Sequence, residues 1–201
     1  MQTTILIADD HSIIRKGLKL LTQLTLGYPN VYEVDSCSKL MNELVKKTYS
    51  HLILDIILSD GSSLEILPNI RRLYPKLHIM VFSMQPAEIY GEAVKKYGVD
   101  HYLSKTAGDE EMQQFLTRFL QNDAPEPRPL QNRENPFTAL APRELEILHY
   151  LLRGVGTKEI SEIFNLRMST VSTLKNRIFE KTEAKNIKEL IELATLYNVN
   201  Y

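Results

Sequence analysis

The chain has 201 residues, of which 43% are hydrophobic and 24% are charged, and its formal net charge at pH 7 is -1. This length and apolar content suit one large or two small domains with a buried core, and the near-zero net charge gives no overall sign of a nucleic-acid partner. The sequence has no stretch of about 18 apolar residues and no secretion signal at its start, so we expect a cytoplasmic protein without membrane contact. Its single cysteine, Cys37, excludes an intramolecular disulfide and a cysteine zinc cluster.

The first 120 residues alternate short apolar runs with helical patterns. The runs that are typical of strands lie at residues 3–8, 31–36, 51–58, 78–83 and 101–105. Helical patterns follow them at residues 12–24, 38–47, 63–74, 87–97 and 108–121. This alternation predicts a doubly wound, five-stranded parallel sheet, which is a flavodoxin-like α/β fold.

The character of the sequence changes at residues 121–136, QNDAPEPRPLQNRENP. Four prolines and one large apolar residue suit an extended linker and not a packed element. We therefore predict a first domain at 1–120, a linker at 121–136 and a second domain at 137–201. The second domain has four short helical patterns, which predict a small all-α unit.

The stretch HLILDIILSDG at 51–61 places a carboxylate, Asp55, inside an otherwise apolar run. Burying a carboxylate without partners costs free energy, so we expect Asp55 to have a specific role. Ligands of an open parallel sheet bind at the carboxyl ends of its strands, and polar residues stand at the other predicted strand ends: Asp9, Asp10, Ser83 and Lys105. Three carboxylates repel one another unless a cation lies among them, and oxygen ligands suit Mg2+. Each residue alone would be an ordinary exposed strand-end group, but the five together indicate a site.

Short motifs make the chain similar to a known family over nearly its whole length. Residues 1–120 resemble a response-regulator receiver domain through ILIADDH at 5–11, LILDIILSDGSSLEIL at 52–67, VFS at 81–83 and YLSK at 102–105. Residues 137–201 resemble a LuxR-type helix-turn-helix domain through RELEILHYLLRG at 143–154, KEIS at 158–161 and TVSTLKNRI at 170–178. Together they resemble the NarL/FixJ family of two-component response regulators.

The resemblance gives the strand-end residues specific roles. The family's phosphoacceptor falls on Asp55, and its Mg2+ ligands fall on Asp9, Asp10, Asp55 and the backbone carbonyl of Ile57. Because Mg2+ neutralises the carboxylates and the incoming phosphoryl oxygens, Asp55 can act as a nucleophile towards an anionic donor.

The resemblance also implies a switch formed by the hydroxyl of Ser83, the aromatic ring of Tyr102 and the ammonium of Lys105. Phosphorylation adds about 1.5 to 2 negative charges, with which the ammonium of Lys105 and the hydroxyl of Ser83 can interact. Inward movement of Ser83 would leave space into which Tyr102 could rotate, so a local charge would bias a bistable element.

The segment 168–181 has one apolar stripe and one polar face. Val171, Leu174 and Ile178 recur at intervals of three and four and are expected to be buried. The residues expected to enter the major groove of double-stranded DNA are Ser169, Ser172, Thr173, Asn176 and Arg177. The resemblance places the base-reading positions on Ser172, Thr173 and Asn176, while Lys158, Arg167 and Lys175 suit phosphate contacts. An ordinary solvated helix face remains the alternative for this segment on its own.

Several positions depart from the family's pattern. Ser59 and Ser63 stand where the turn after the phosphoacceptor often has Pro and Gly, and Ala141 and Arg167 stand at two helix starts that usually carry a Ser or Thr cap. Each missing cap could cost about 1 kcal/mol, so we expect other groups, such as Ser169 or Asn165, to compensate. Thr182 and Glu183 replace an expected Leu and Gly before the last helix.

We expect a phosphorylation-controlled transcriptional regulator that binds double-stranded DNA. Its phosphoryl group would come from a sensor histidine kinase or a small phosphodonor, and phosphorylation would favour a homodimer. Leu190, Ile191 and Ala194 on the last helix are candidates for a dimer contact, with core packing as the competing interpretation of Leu190.

Two alternatives remain. A Mg2+-dependent phosphohydrolase would use Asp55 as nucleophile, but such enzymes usually need a second acid two residues further on, where this chain has Ile57, and the helix-turn-helix would be unexplained. We therefore do not expect an enzyme. A DNA-binding protein without phosphorylation is the other alternative, and the filled receiver positions argue against it.

Overall fold

The computed structural model describes residues 3–85, 87–99, 101–122, 135–197 and 199. They fall into two compact units. The first unit lies within Met1–Met84 and Val94–Arg128, and the second lies within Gln85–Ala93 and Pro129–Tyr201. The domain boundaries drawn from the sequence stay a prediction, since residues 123–134 of the expected linker lie outside the described residues.

The strands follow one another in short segments. In chain order they are β1 (Ile5–Ala8), β2 (Val31–Val34), β3 (His51–Leu54), β4 (Ile57–Leu58), β5 (Gly61–Ser62), β6 (His78–Ser83) and β7 (His101–Ser104). Five of them form a parallel sheet in the order β2-β1-β3-β6-β7, which confirms the predicted doubly wound sheet. The connections reverse direction between β1 and β3, so a ligand crevice is expected at the carboxyl ends of these two strands.

The helices have the following bounds. In chain order they are α1 (Ser12–Leu20), α2 (Cys37–Lys46), α3 (Ser63–Leu73), α4 (Ala87–Lys95), α5 (Asp109–Leu120), α6 (Pro142–Leu152), α7 (Thr157–Ile163), α8 (Met168–Thr182) and α9 (Ile187–Leu196). A π-helical segment, Leu21–Thr25, continues α1, and a 3-10 helix, Pro136–Ala139, precedes α6. No helix in the described part of the chain combines the length and the apolar character that crossing a membrane requires.

One side of the sheet is covered by α1 and α5. Ile5, Ile7 and Ile53 on the sheet belong to the same buried cluster as Leu18 of α1 and Leu116 of α5. Because successive side chains of a strand point to opposite faces, the residues between them face the other side of the sheet. The apolar positions of β1, β3, β6 and β7 are buried on both faces, so the polar residues that follow these strands stand out as exceptions.

The second unit contains a helix-turn-helix arrangement. Helix α8 packs against α6 and α7, and α9 packs against α6. Val171 and Ile178 of α8 are fully buried, as predicted, and Leu174 is half-buried. Leu190 and Ala194 are also fully buried within the chain, so these two candidates for a dimer contact are core residues, and Ile191 alone remains half-buried.

Candidate functional site

Four polar residues meet at the carboxyl ends of the strands. Asp9 follows β1, Asp55 follows β3, Ser83 ends β6 and Lys105 follows β7. The backbone N–H of Asp55 donates to the carbonyl oxygen of Ala8 at 2.8 Å, which extends the β1–β3 pairing by one step. Strand β3 ends one residue before Asp55, so the carboxylate lies at the strand's end and not inside a strand that continues to residue 58. Asp9 and Asp55 are nevertheless only 2% and 4% exposed.

Lys105 and Ser83 hold both oxygens of the Asp55 carboxylate. The Nζ atom of Lys105 lies 2.5 Å from Oδ2 of Asp55 and 2.6 Å from Oδ2 of Asp9, and this ammonium-bearing side chain is 2% exposed. The hydroxyl of Ser83 donates to Oδ1 of Asp55 at 2.6 Å. A buried ion pair is stable where its remaining polar atoms are also satisfied, and these contacts account for both oxygens of Asp55.

The electrostatics of Asp55 reflect its burial. Desolvation raises the pKa of Asp55 above its ordinary value, although Lys105 and Ser83 act in the opposite direction, and the nearby Asp9 carboxylate raises it further. Because a nearby positive charge favours the ionised form of a carboxyl group, a bound cation would lower this pKa and keep Asp55 anionic.

The acidic cluster has the chemistry of a divalent-cation site. Single ligand atoms from Asp9, Asp10, His11 and Asp55 all lie within 4.8 Å of one another. Carboxylate oxygens suit Mg2+, which keeps several waters in its coordination sphere, so this donor set fits the ion that the sequence predicted. Ile57 lies on β4 and is half-buried, and the role of its carbonyl as a ligand stays a prediction.

His11 was not among the predicted ligands, yet it belongs to this cluster. Its Nδ1 atom lies 2.6 Å from Oδ1 of Asp10 and 3.3 Å from Oδ1 of Asp9, and its backbone N–H donates to Oδ1 of Asp9 at 2.8 Å. Its side chain is 58% exposed. Adjacency to two consecutive aspartates was the only sequence signal for this position.

Two further side chains hold the backbone of the site. Arg15 on α1 donates to the carbonyl oxygen of Asp9 at 2.6 Å, and the buried hydroxyl of Ser63 donates to the carbonyl oxygen of Asp55 at 2.7 Å. Sequence reasoning missed both, because neither bond follows from a motif. Ser63 was flagged as a departure from the family's pattern, and the structure gives it a direct bond to the predicted phosphoacceptor.

Tyr102 lies on β7 opposite Val81 of β6 and is 3% exposed. Its ring is therefore buried while the hydroxyl of Ser83 is bonded to Asp55. The structure brings Ser83 and Lys105 into contact with Asp55, whereas Tyr102 is buried on the strand beside Ser83. Its role as a switch stays a prediction.

The predicted DNA-contacting residues occupy α8 and the segments around it. Those that are exposed are Lys158, Arg167, Ser169, Ser172, Thr173, Asn176 and Arg177. Lys175 is half-buried, with its Nζ atom 5.6 Å from the centre of the Phe179 ring. The hydroxyl of Thr173 donates back to the carbonyl of Ser169 at 2.9 Å, so its oxygen can still accept a bond from a base. Lys175 excepted, all of them are on the solvent side of this unit.

The two unusual helix starts are stabilised differently. At Ala141 the backbone N–H donates to Oε2 of Glu144 at 2.8 Å, which supplies half of a capping box, and the same oxygen accepts a bond from Lys181 at 2.7 Å. At Arg167 the residue's own side chain makes no capping bond to α8. Compensation by Ser169 or Asn165 stays a prediction.

Comparison with protein families identifies both parts of the chain. Residues 5–117 match the response regulator receiver domain. Residues 138–194 match the bacterial regulatory proteins of the luxR family. The first match alone covers more than half of the chain.

Individual relatives extend the match to nearly the full length. The oxygen regulatory protein NreC of Staphylococcus aureus is 30% identical over 211 aligned positions, which cover 94% of this chain and 95% of NreC. RcsB of Salmonella enterica serovar Typhimurium, solved bound to the promoter rprA in the presence of the phosphomimetic BeF3-, is 25% identical with a TM-score of 0.69, and the alignment covers 97% of this chain and 99% of RcsB. A further structure of Salmonella typhimurium RcsB, at 24% identity and a TM-score of 0.69, shares the fold. The chain therefore belongs to the NarL/FixJ family of response regulators, in which a receiver domain is joined to a LuxR-type helix-turn-helix domain, and it is a DNA-binding transcriptional regulator and not an enzyme.

Proposed function

We propose that this regulator is controlled by Mg2+-dependent phosphorylation of Asp55, with a sensor histidine kinase or a small phosphodonor as the source of the phosphoryl group. The observation that carries the proposal is the environment of Asp55. Its carboxylate is 4% exposed, yet it lies within 2.6 Å of both an ammonium and a hydroxyl. A buried carboxylate with this arrangement of donors is suited to carrying additional negative charge.

The residues of the cluster have different roles in phosphoryl transfer. An oxygen of the Asp55 carboxylate attacks the phosphorus of the donor, a new O–P bond forms, and the bond from phosphorus to the leaving group breaks with its electron pair. Mg2+, when bound, neutralises the carboxylates and the phosphoryl oxygens. The ligands proposed for it are Asp9, Asp10, Asp55 and the carbonyl of Ile57.

Lys105 and Ser83 are proposed to report the new charge. Lys105 contributes an ammonium, and Ser83 contributes a hydroxyl that can donate to a phosphoryl oxygen. Both now contact Asp55 itself, so phosphorylation must exchange these bonds for bonds to the phosphoryl group. Tyr102, on the strand beside Ser83, is the proposed aromatic element of the switch.

The exposed face of α8 is the proposed DNA surface. Ser172, Thr173 and Asn176 would read base edges in the major groove, with Ser169 and Arg177 beside them, and Lys158, Arg167 and Lys175 would contact phosphates. The complex of RcsB with promoter DNA supports double-stranded DNA as the partner, and the structure of RcsB dimers on DNA supports a homodimer. We propose that the protein works in the cytoplasm, where a kinase and the chromosome are both accessible.

The phosphorylation site can be tested by intact-mass measurement after incubation with acetyl phosphate and Mg2+. Wild-type protein should gain the mass of one phosphoryl group, and Asp55→Asn should gain none. Asp109→Asn removes an exposed carboxylate from the start of α5 and should be labelled like wild type. Removal of Mg2+ with a chelator should abolish labelling of the wild type, while normal labelling of Asp55→Asn would refute the proposed site.

A further inference from the structure

The loop that follows Asp55 is a small antiparallel hairpin. Strand β4 pairs with β5 through Ile57 opposite Ser62 and Leu58 opposite Gly61, which leaves Ser59 and Asp60 as its two-residue tip. Gly61 has a φ of 146°, a conformation that residues with a Cβ atom rarely adopt. At the base, the backbone N–H of Ser63 donates to the carbonyl of Ile56 at 2.8 Å.

The tip of this hairpin is tied to the start of α2. Oδ1 of Asp60 accepts the backbone N–H of Cys37 at 2.6 Å, and Oδ2 accepts the backbone N–H of Ser38 at 3.0 Å and the hydroxyl of the same serine at 2.5 Å. Ser59 adds a second attachment, since its backbone N–H and its hydroxyl both donate to the carbonyl of Asp35, at 3.1 and 2.9 Å.

These bonds provide acceptors for N–H groups at the first turn of α2, which have no partner within the helix. Ser36 is the helix's own cap, and its hydroxyl accepts the N–H of Lys39 at 3.2 Å. The N–H groups of Cys37 and Ser38 have no acceptor within the helix, and the carboxylate of Asp60 accepts a bond from each of them. Desolvation on its own would raise the pKa of Asp60, but the bonds from Ser38 and Cys37 outweigh it and lower the pKa to about 2.

We propose that Asp60 is a positioning residue for the metal site, because its bonds to α2 fix the hairpin that carries the Ile57 carbonyl next to Asp55. This inference rests on the proposed Mg2+-dependent phosphorylation. Family members often have Pro and Gly at this turn, and a proline restricts the backbone directly. Ser59 has no such restriction, so here the turn is held by the bonds that Ser59 and Asp60 make to residues 35–38 outside the hairpin.

The test compares Mg2+ affinity among variants of the full-length chain, measured by isothermal titration calorimetry. Asp60→Ala and Asp60→Asn both remove the negative charge, but only Asn keeps an oxygen that can accept the N–H of Cys37 or Ser38. Loss of the residues that orient a metal ligand typically weakens binding about 10- to 100-fold. We therefore expect Asp60→Ala to weaken Mg2+ binding about tenfold, and Asp60→Asn to recover a clear part of that loss.

Ser36→Ala is the matched control, because it removes a capping bond from the same turn of α2 and leaves the bonds of Asp60 in place. It should lower the melting temperature while leaving the Mg2+ affinity near that of wild type. In labelling by acetyl phosphate, the rate lost by Asp60→Ala should return as Mg2+ is raised to saturation, which a damaged nucleophile would not allow.

The possible results separate the two proposals. Equal affinities for wild type and Asp60→Ala, equal losses in the Ala and Asn variants, or the same loss in Ser36→Ala would each overturn the positioning role while leaving phosphorylation of Asp55 intact. If wild type itself neither bound Mg2+ nor took up a phosphoryl group, both proposals would fail.

Discussion

His51 is a buried titratable residue away from the acidic cluster. It begins β3, is 2% exposed, and its ring stacks on that of His78 with centroids 5.1 Å apart. Its Nε2 atom lies 3.1 Å from Oδ1 of Asn122, and the ring of Phe119 meets it edge-on at 5.0 Å. Burial, and then the charge of His78, lower the pKa of His51 to about 4, and His101 adds a smaller effect in the same direction.

This pKa predicts that the protein loses stability in mild acid. The unfolded chain binds a proton at His51 as the pH falls through 6.5, whereas the folded chain resists protonation until about pH 4. The free energy of unfolding should therefore fall over this window, by roughly 3 kcal/mol at most from this residue. Denaturant unfolding at a series of pH values should show a shallower decline for His51→Gln than for wild type.

Other titratable groups do not obscure the comparison between wild type and His51→Gln. Burial lowers the pKa of His149 too, so part of the decline should remain in the variant. The lowered pKa values of Asp35 and Asp60 cost stability only as the pH falls below their ordinary value of 3.8, which is under the window. Identical pH profiles for wild type and His51→Gln would refute the prediction.

At the scale of single residues, the sequence predicted the groups that follow strands. Asp9, Asp55 and Lys105 could be placed because parallel strands bring their carboxyl ends to one edge of a sheet. Asp60 and Ser63 could not, because they bond to backbone atoms whose positions depend on the fold of the hairpin. The burial of His51 could not be predicted either, because it depends on packing against Phe119 of α5.

The turn between α8 and α9 shows how an element tolerates an unfavourable residue. Glu183 ends α8 with a φ of 58°, in the left-handed region that favours glycine. The preceding Thr182 is buried, and its hydroxyl donates to the carbonyl of Ile178 at 2.7 Å. The sequence lacks the glycine expected at this turn, yet the structure retains the left-handed helix end that a glycine would provide.

Glu183→Gly should therefore stabilise the protein, by about 1 kcal/mol, because the left-handed conformation costs a residue with a Cβ atom about that much. Glu180→Gly is the matched control, since Glu180 lies in the helical part of α8 and is exposed. That change should destabilise by up to about 1 kcal/mol. Chemical denaturation of the two variants should show opposite signs, and destabilisation by Glu183→Gly would refute the argument.

Elements with a clear period were predicted best. The parallel strands and the helices between them appeared in the right order, because apolar runs and helical stripes differ in their repeat. The π-helical segment at Leu21–Thr25 and the hairpin of β4 and β5 were missed, since each depends on contacts and not on a local repeat. Helix α3 begins at Ser63, where the helical pattern begins, and continues through Pro68.

At the scale of the whole molecule, Lys105 should couple phosphorylation to DNA binding. In saturating Mg2+, Lys105→Ala should still accept some phosphoryl group at Asp55, but it lacks the cation that responds to the new charge. Its affinity for DNA selected with the wild-type protein should therefore stay at the unphosphorylated level. Lys39→Ala, which removes an exposed lysine paired with Asp35, should keep the full increase.

The measurement for Lys105→Ala is a DNA titration at a phosphorylated fraction that intact mass has established for each variant. Comparing equal fractions separates slow labelling from failed coupling. The role of Lys105 would be wrong if its phosphorylated variant bound DNA as tightly as phosphorylated wild type.

Dimerisation is the remaining question at this scale, and the fold narrows where the DNA-binding unit can make its contact. Leu190 and Ala194 are fully buried within one chain, so of the apolar candidates on α9 only the half-buried Ile191 can reach a partner. We expect phosphorylation to favour a two-fold dimer, whose recognition helices read half-sites about one helical turn apart.

Ile191→Asp should weaken binding to the paired site because it places a charge in the contact, whereas binding to a single half-site should change little. Val45→Asp, which alters an exposed apolar residue of α2, should bind both DNAs like wild type. Footprinting and titration of phosphorylated protein on paired and single half-sites would measure this, and protection of one half-site by a monomer at saturation would rule out the inverted-repeat arrangement.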